Sequence, residues 1–159
     1  MILLMLDTGM RASELCGLRI HHVDLKNHRL RVFGKGSKER MLPLSPTTAM
    51  ALWKYLATRR EAAMDERLFV SRRGRPYNRN ALRQLIASLG DSAGVGDAHP
   101  HRFRHTFAIN YLRNGADAYT LQMLLGHSTM EMVKTYLQLA HADAAKAHRR
   151  ASPVANWDL

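Results

Sequence analysis

The chain has almost no cysteine: Cys16 is the only one in 159 residues. No internal disulfide can form, which excludes a small cross-linked scaffold. Long apolar runs are also missing. Met1 to Leu6 is apolar, but Asp7 ends the run, and a membrane-spanning helix needs about 20 such residues. Neither the basic stretch nor the small-residue cleavage site of a secretory leader is present. The chain therefore reads as soluble and cytoplasmic, with no membrane partner. No repeat or low-complexity tract is visible, which excludes a solenoid. Acidic residues are scarce, with 13 Asp plus Glu against 24 Lys plus Arg, a net charge of +11. A compact domain this basic points to a polyanionic partner, either nucleic acid or an anionic surface.

What is present fits one globular domain over residues 1–159. A chain of this length buries roughly 68–70% of its unfolded surface, enough for a real core. Met1 to Asp7 reads as a helix broken at Thr8-Gly9, and Arg11 to Leu18 as a second, with Cys16 a small buried hydrophobe. Between His22 and Leu44 the period changes to that of strands. Leu30, Val32, Met41 and Leu42 flank Gly34-Lys35-Gly36-Ser37-Lys38, which predicts a β-hairpin. Ser45-Pro46 opens a helix to about Arg60. Arg67 to Val70 predicts a short strand, and Asn80 to Leu89 a helix stopped near Gly90. Phe103, Phe107 and Tyr111 form the core stripe of a helix from about His101 to Arg113, ended by Gly115. Ala118 to Leu125 follows, with Gly126 after its last turn. Ser128 and Glu131 have capping-box spacing, so a helix carrying Tyr136 is expected to start there. Residues 137–159 read as a C-terminal helix, Ala-rich from about Ala140 to Arg150, and a tail. The expectation is a mainly α domain with a small antiparallel β-sheet, an α+β fold.

Singly, each polar candidate has a structural explanation. Arg11 starts a helix, and helix N-termini bind anions. Lys35 and Lys38 at a hairpin tip protect a sheet edge. His101 and Arg104 share a helix face. His127 lies between helices, and Tyr136 suits half-buried packing.

Taken together, the segments have a pattern. In order they are Thr8-Gly9-Met10-Arg11-Ala12-Ser13-Glu14-Leu15, Gly34-Lys35-Gly36-Ser37-Lys38-Glu39-Arg40, His99-Pro100-His101-Arg102-Phe103-Arg104-His105-Thr106-Phe107-Ala108 and Leu124-Leu125-Gly126-His127-Ser128, with Tyr136 nine residues past His127. This set resembles the catalytic domain of the tyrosine recombinases, the phage-integrase family, and spans most of the chain. The resemblance implies site-specific DNA recombination or integration on double-stranded DNA, through a covalent 3′-phosphotyrosyl intermediate. It implies no cofactor and no metal, so side-chain cations must stabilise the transition state. By the family's motif Tyr136 is the nucleophile, Arg11 and Arg104 clamp the non-bridging oxygens, and Lys35 protonates the leaving 5′-oxygen. His101 assists proton transfer, His127 donates a hydrogen bond to the phosphate, and Glu14 orients other members of the site. Lys38, Arg72, Arg73, Arg75 and Arg79 are expected to track DNA phosphates, which positions a duplex without reading its sequence.

The pattern departs from the family at the start: family members carry a separate core-binding domain before this segment, whereas here Arg11 arrives almost at once. The chain is therefore expected to be either a fragment of a longer protein or a naturally truncated one. A monomer is expected for the isolated chain, and a homotetramer on DNA for a full-length protein. The face formed by Ala140, Ala144, Ala145 and Ala147 is then expected to dock on a neighbouring protomer. Three alternatives compete: a type IB topoisomerase-like nicking activity, a non-enzymatic phosphate-coating domain, and a metal site at His99, His101 and His105.

Overall fold

The computed structural model describes residues 1–34 and 39–140, together with His148, Ser152 and Val154. The apolar opening forms α1 (Ile2–Thr8), which buries Leu4 and Met5. It ends at Gly9, where φ is +61°. A side chain there would also collide with the Phe107 ring and Leu125, so only glycine fits. The sharp turn lets the chain re-enter at once as α2 (Ala12–Gly17), with Arg11 as its N-cap residue. A single 3₁₀ turn (Ile20–His22) leads into the sheet.

The sheet has three antiparallel strands in the order β1 (Val23–Asp24), β2 (Arg29–Phe33), β3 (Glu39–Pro43). The register pairs Leu30 with Leu42 and Val32 with Arg40. Leu30, Val32 and Leu42 are buried, while Phe33, Glu39 and Met41 are exposed. One face therefore packs on the helices and the other meets water, as strand alternation requires. Arg40 sits on the inward, apolar face.

Ser45 accepts from the Thr48 amide and caps α3 (Pro46–Ala57), with Pro in the first turn. Asn78 caps α4 (Arg79–Ser92) in the same way through Ala81. Then come α5 (Pro100–Arg113), α6 (Ala118–Leu125), capped by Asp117 through Thr120, and α7 (Glu131–Ala140). Helix α5 is central, packed against α1, α4, α6 and α7, and α6 also touches β3. The core gathers Met5, Met10, Leu15, Leu30, Leu42, Leu68, Leu82, Ile86, Leu121 and Leu125, all nearly inaccessible. The mainly helical fold with a small antiparallel sheet agrees with the sequence expectation. Among the described residues no helix is long and apolar enough to cross a membrane.

Four local expectations need correction. Arg67 to Val70 is not a strand: Arg19 bridges Arg67 and Pro76 bridges Val70, so two different partners prevent a ladder from propagating. Gly90 does not stop α4, which runs on to Ser92; glycine is needed there because a side chain would run into Ala98. Ser128 does not open α7. Ser128 and Thr129 form a bend, and the Met130 carbonyl takes the first helical amides, those of Val133 and Lys134. Helix α3 ends at Ala57, before Arg60. The Ala-rich face of Ala144, Ala145 and Ala147 lies outside the described residues.

Candidate active site

The end of α6 is the hub of the site. Three successive carbonyls there each accept from a different arginine: Leu124 from Arg40 Nε (2.8 Å), Leu125 from Arg104 Nη2 (2.8 Å) and Gly126 from Arg11 Nη2 (3.1 Å). The last carbonyls of a helix lack intrahelical partners and carry the negative end of its dipole. Gly126, with φ at +64°, turns the chain so that they face the arginines. A second bond from Arg104, Nη1 to the Gly9 carbonyl at 2.8 Å, ties α5 to the turn before Arg11.

Glu14 supplies the counter-charge. Its Oε2 accepts from the Arg11 amide at 2.7 Å and its Oε1 from Arg11 Nη1 at 3.1 Å. Arg40 grips the same carboxylate with two bonds of 2.8 Å. Burial alone would push the Glu14 carboxyl up. The hydrogen bonds from Arg40 and the Arg11 amide, with both positive charges, outweigh it and hold the carboxyl below its ordinary value.

Arg104 is 5% exposed, although a single-face reading of α5 would leave it at the edge of the core. It is tolerated there because backbone oxygens take its protons. Burial, and then the Arg11 charge, lower its pKa to about 10, so it stays cationic at neutral pH. Its Nη2 lies 2.7 Å from His127 Nε2. Arginine can only donate, so that ring nitrogen is the acceptor and the ring proton sits on Nδ1. Burial first, then the charges of Arg104, Arg11 and Arg40, lower the His127 pKa to about 4. His127 is neutral here, and its buried Nδ1 has no hydrogen-bond partner.

The Tyr136 ring stacks on His127, with centroids 6.2 Å apart and planes 10° apart. The His105 ring meets it edge-on at 5.3 Å. Tyr136 is 7% exposed, held where α7 packs against α5 and α6. A cavity of about 530 Å³ opens beside the cluster, lined by Arg11, Arg40, Gly126 and His127.

The structure thus joins Arg11, Glu14, Arg104, His127 and Tyr136. It does not bring His101 in: that side chain is exposed on the first turn of α5, its ring 6.5 Å from His99. Lys35 and Lys38 lie outside the described residues, although Gly34 and Glu39 on either side line the same cavity. Arg72, Arg73 and Arg75 are exposed on a turn closed by the Ser71 amide on the Arg75 carbonyl (2.8 Å), and Arg79 opens α4. Among the described residues no ion pair neutralises these four, and no hydrogen bond ties them to the cluster. No three His, Cys, Asp or Glu of the described residues are grouped to hold a metal ion, His99, His101 and His105 included.

Sequence reasoning gave Arg40 no task and met His105 only in the metal alternative, not beside Tyr136. Arg40 had a signal: alternation through Leu42 puts it on the apolar face, where a charge needs a partner. His105 had none, because its value lies in a contact with another helix.

The fold and this cluster define a helical domain with a cationic pocket beside a buried tyrosine. Residues 1–143 match the phage integrase family, and the chain belongs to that family. It is 38% identical over 153 residues to the tyrosine recombinase XerC of Corynebacterium efficiens, covering 96% of this chain and 49% of that protein. It is 36% identical over 160 residues to XerD of Staphylococcus aureus strain N315, covering 98% of this chain and 54% of that one. Among solved structures, the XerA recombinase superposes with a TM-score of 0.81 at 33% identity, over 94% of this chain and 56% of that one. The catalytic domain of bacteriophage HP1 integrase shares the fold, with a TM-score of 0.67 at 24% identity over 98% of this chain and 82% of that one. The chain spans about half the length of the curated relatives it matches.

Proposed function

We propose that this chain is the catalytic domain of a site-specific recombinase that breaks and rejoins double-stranded DNA through Tyr136. The carrying observation is the Tyr136 ring stacked on His127, which is bonded to Arg104 within the same chain. In this reading the nucleophile and its phosphate-binding groups come from one protomer.

The Tyr136 oxygen attacks the scissile phosphorus, forming a 3′-phosphotyrosyl bond while the bond to the 5′-oxygen breaks. The phenolic proton passes to His101 as the new bond forms, and Lys35 delivers a proton to the departing 5′-oxygen. Arg11 and Arg104 neutralise the non-bridging oxygens, a task that suits a planar fork of donors. No energy source is needed, because the phosphotyrosyl ester keeps the bond energy for a second 5′-hydroxyl to recover. Neutral His127 turns an N–H to the phosphate once Arg104 Nη2 has an anionic oxygen to bind instead of the ring. His101 approaches the nucleophile only when DNA is bound, which accounts for its exposure in the free chain. Arg72, Arg73, Arg75 and Arg79 follow the duplex backbone, and a tetramer forms on DNA when the protein is complete.

Support comes from the net charge of +11 and from the absence of ion-pair partners on those exposed arginines among the described residues. Relatives also bind DNA: XerH was solved on its difH substrate in a pre-cleavage complex, with a TM-score of 0.73 at 25% identity over 91% of this chain and 43% of that one. The test is a nicked duplex that traps covalent intermediates. Wild-type protein should give a DNA-linked band and Tyr136→Phe none; equal bands would move the chemistry to another residue.

A further inference from the structure

Arg40 stands on the inward face of β3, opposite buried Val32, with its side chain 13% exposed. Each of its three bonds is 2.8 Å long and ends on a different atom of the protein itself: both oxygens of Glu14 and the Leu124 carbonyl. Arg11, on the same cavity, is 33% exposed. Two arginines on one carboxylate therefore divide their work, one open to the cavity and one backing it. Behind them, Gly126 approaches the Arg40 guanidinium so closely that an added Cβ would lie 3.1 Å from it.

We infer that Arg40 is a positioning residue, which registers the hairpin strand β3 against Arg11 and the α6–α7 turn before any phosphate arrives. The inference rests on the DNA-cleavage reading above. Three like charges converge here, and unassisted they would repel one another. Glu14 and the carbonyl end of α6 oppose that repulsion, and Arg40 connects them. Through Glu14 it fixes the Arg11 amide and guanidinium. Through Leu124 it fixes the segment whose next two carbonyls hold Arg104 and Arg11, and which continues into His127. Through its own backbone it fixes the strand that returns from Lys35. Among the described residues Arg40 is the one side chain of β3 hydrogen-bonded to both Glu14 and the end of α6. Lysine has one compact donor head and cannot hold a carboxylate by two parallel bonds and a carbonyl by a third.

The test uses the full-length protein in single-turnover cleavage of a nicked duplex from pH 5 to 8. Arg40→Lys keeps the charge, and Arg40→Gln keeps an amide donor. Displacement of a catalytic group by about 1 Å costs about a hundredfold, so cleavage should slow roughly ten- to a hundredfold, more for Gln than for Lys. DNA affinity and its salt dependence should stay as in wild type. The acid limb of the rate profile should move to higher pH, because Glu14 loses the grip that holds its carboxyl down. A rate that falls only with the folded fraction, with no movement of the acid limb, overturns the inference. So does weaker DNA binding with a salt slope smaller by about one, which marks a direct phosphate contact. NMR titration of the Glu14 carboxyl separates this inference from the reading it rests on. Wild type without a covalent adduct sinks the DNA-cleavage reading. A Glu14 titration that is not raised by Arg40→Lys or Arg40→Gln sinks the Arg40 inference, whatever the activity.

Discussion

Arg104 donates a 2.7 Å hydrogen bond to His127 Nε2, across 23 residues of sequence. That bond fixes the imidazole tautomer, and with burial and the surrounding charges it holds His127 neutral in the free protein. In the proposed reaction a phosphate oxygen replaces the ring nitrogen on Arg104.

The first prediction is a titration. His127 should protonate near pH 4, well below the ordinary histidine value of about 6.5. Imidazole NMR signals followed from pH 3.5 to 8 check it. The folded value lies below the unfolded one, so the unfolded chain binds more protons between them. Stability is therefore complete above about pH 6.5 and declines as pH falls toward 4. Replacement of His127 by Gln should flatten that part of the stability profile.

A second prediction concerns Gly9. Its φ of +61° and its closeness to Phe107 and Leu125 leave no room for a methyl group. Left-handed backbone costs a side chain about 1–2 kcal/mol, and overpacking about 1–3 kcal/mol more. Gly9→Ala should lower unfolding stability by about 2–5 kcal/mol in denaturant melts. It should also slow cleavage, because the Gly9 carbonyl holds Arg104.

Much of this was legible in the sequence, for a physical reason. Arg11, Glu14, Arg104, His127 and Tyr136 were named through the family's motif; local signals such as Thr8-Gly9 and Gly126 gave the turns beside Arg11 and His127, while Arg104 and Tyr136 lie inside α5 and α7. The α6 boundaries followed from the apolar run Ala118 to Leu125 and from Gly126. What was hidden depended on partners far along the chain. Gly90 looks like a stop until Ala98 is seen against it, and Arg67 to Val70 looks like a strand until its two bridges prove to lead to different segments. Ser128 and Glu131 have the right spacing, yet Ser128 lies in the bend after Gly126 and the helix begins only at Glu131. Arg40 was quoted within a motif but given no task, because its task is defined by Glu14 and Leu124.

A third prediction concerns the exposed arginines. If Arg72, Arg73, Arg75 and Arg79 neutralise phosphates, log affinity for duplex DNA should fall against log salt with a slope near −0.9 per phosphate contacted. Replacing Arg72 and Arg73 together by Ala should reduce the slope by roughly two and weaken binding alike on every sequence. Loss of preference for one sequence would instead make them base readers.

The fourth prediction addresses Lys35, whose neighbour Lys38 occupies the same connection. A 5′-alkoxide needs a proton as it leaves, so Lys35→Ala should slow cleavage by about 10²–10⁴-fold. With sulfur in place of the bridging 5′-oxygen, the leaving thiolate needs none, and the variant should cleave at nearly the wild-type rate. Arg11→Ala should stay slow on both substrates. Continued impairment of Lys35→Ala on the sulfur substrate would make Lys35 a phosphate-binding charge.

The central claim is that Tyr136 carries the DNA. The most direct measurement traps full-length protein on a nicked duplex, digests the adduct and maps the linked peptide by mass spectrometry. One modified residue is expected, Tyr136, esterified to a 3′-phosphate, with a free 5′-hydroxyl on the released strand. A linkage at any other residue, a 5′-phosphate linkage, or intact DNA after prolonged incubation would contradict it.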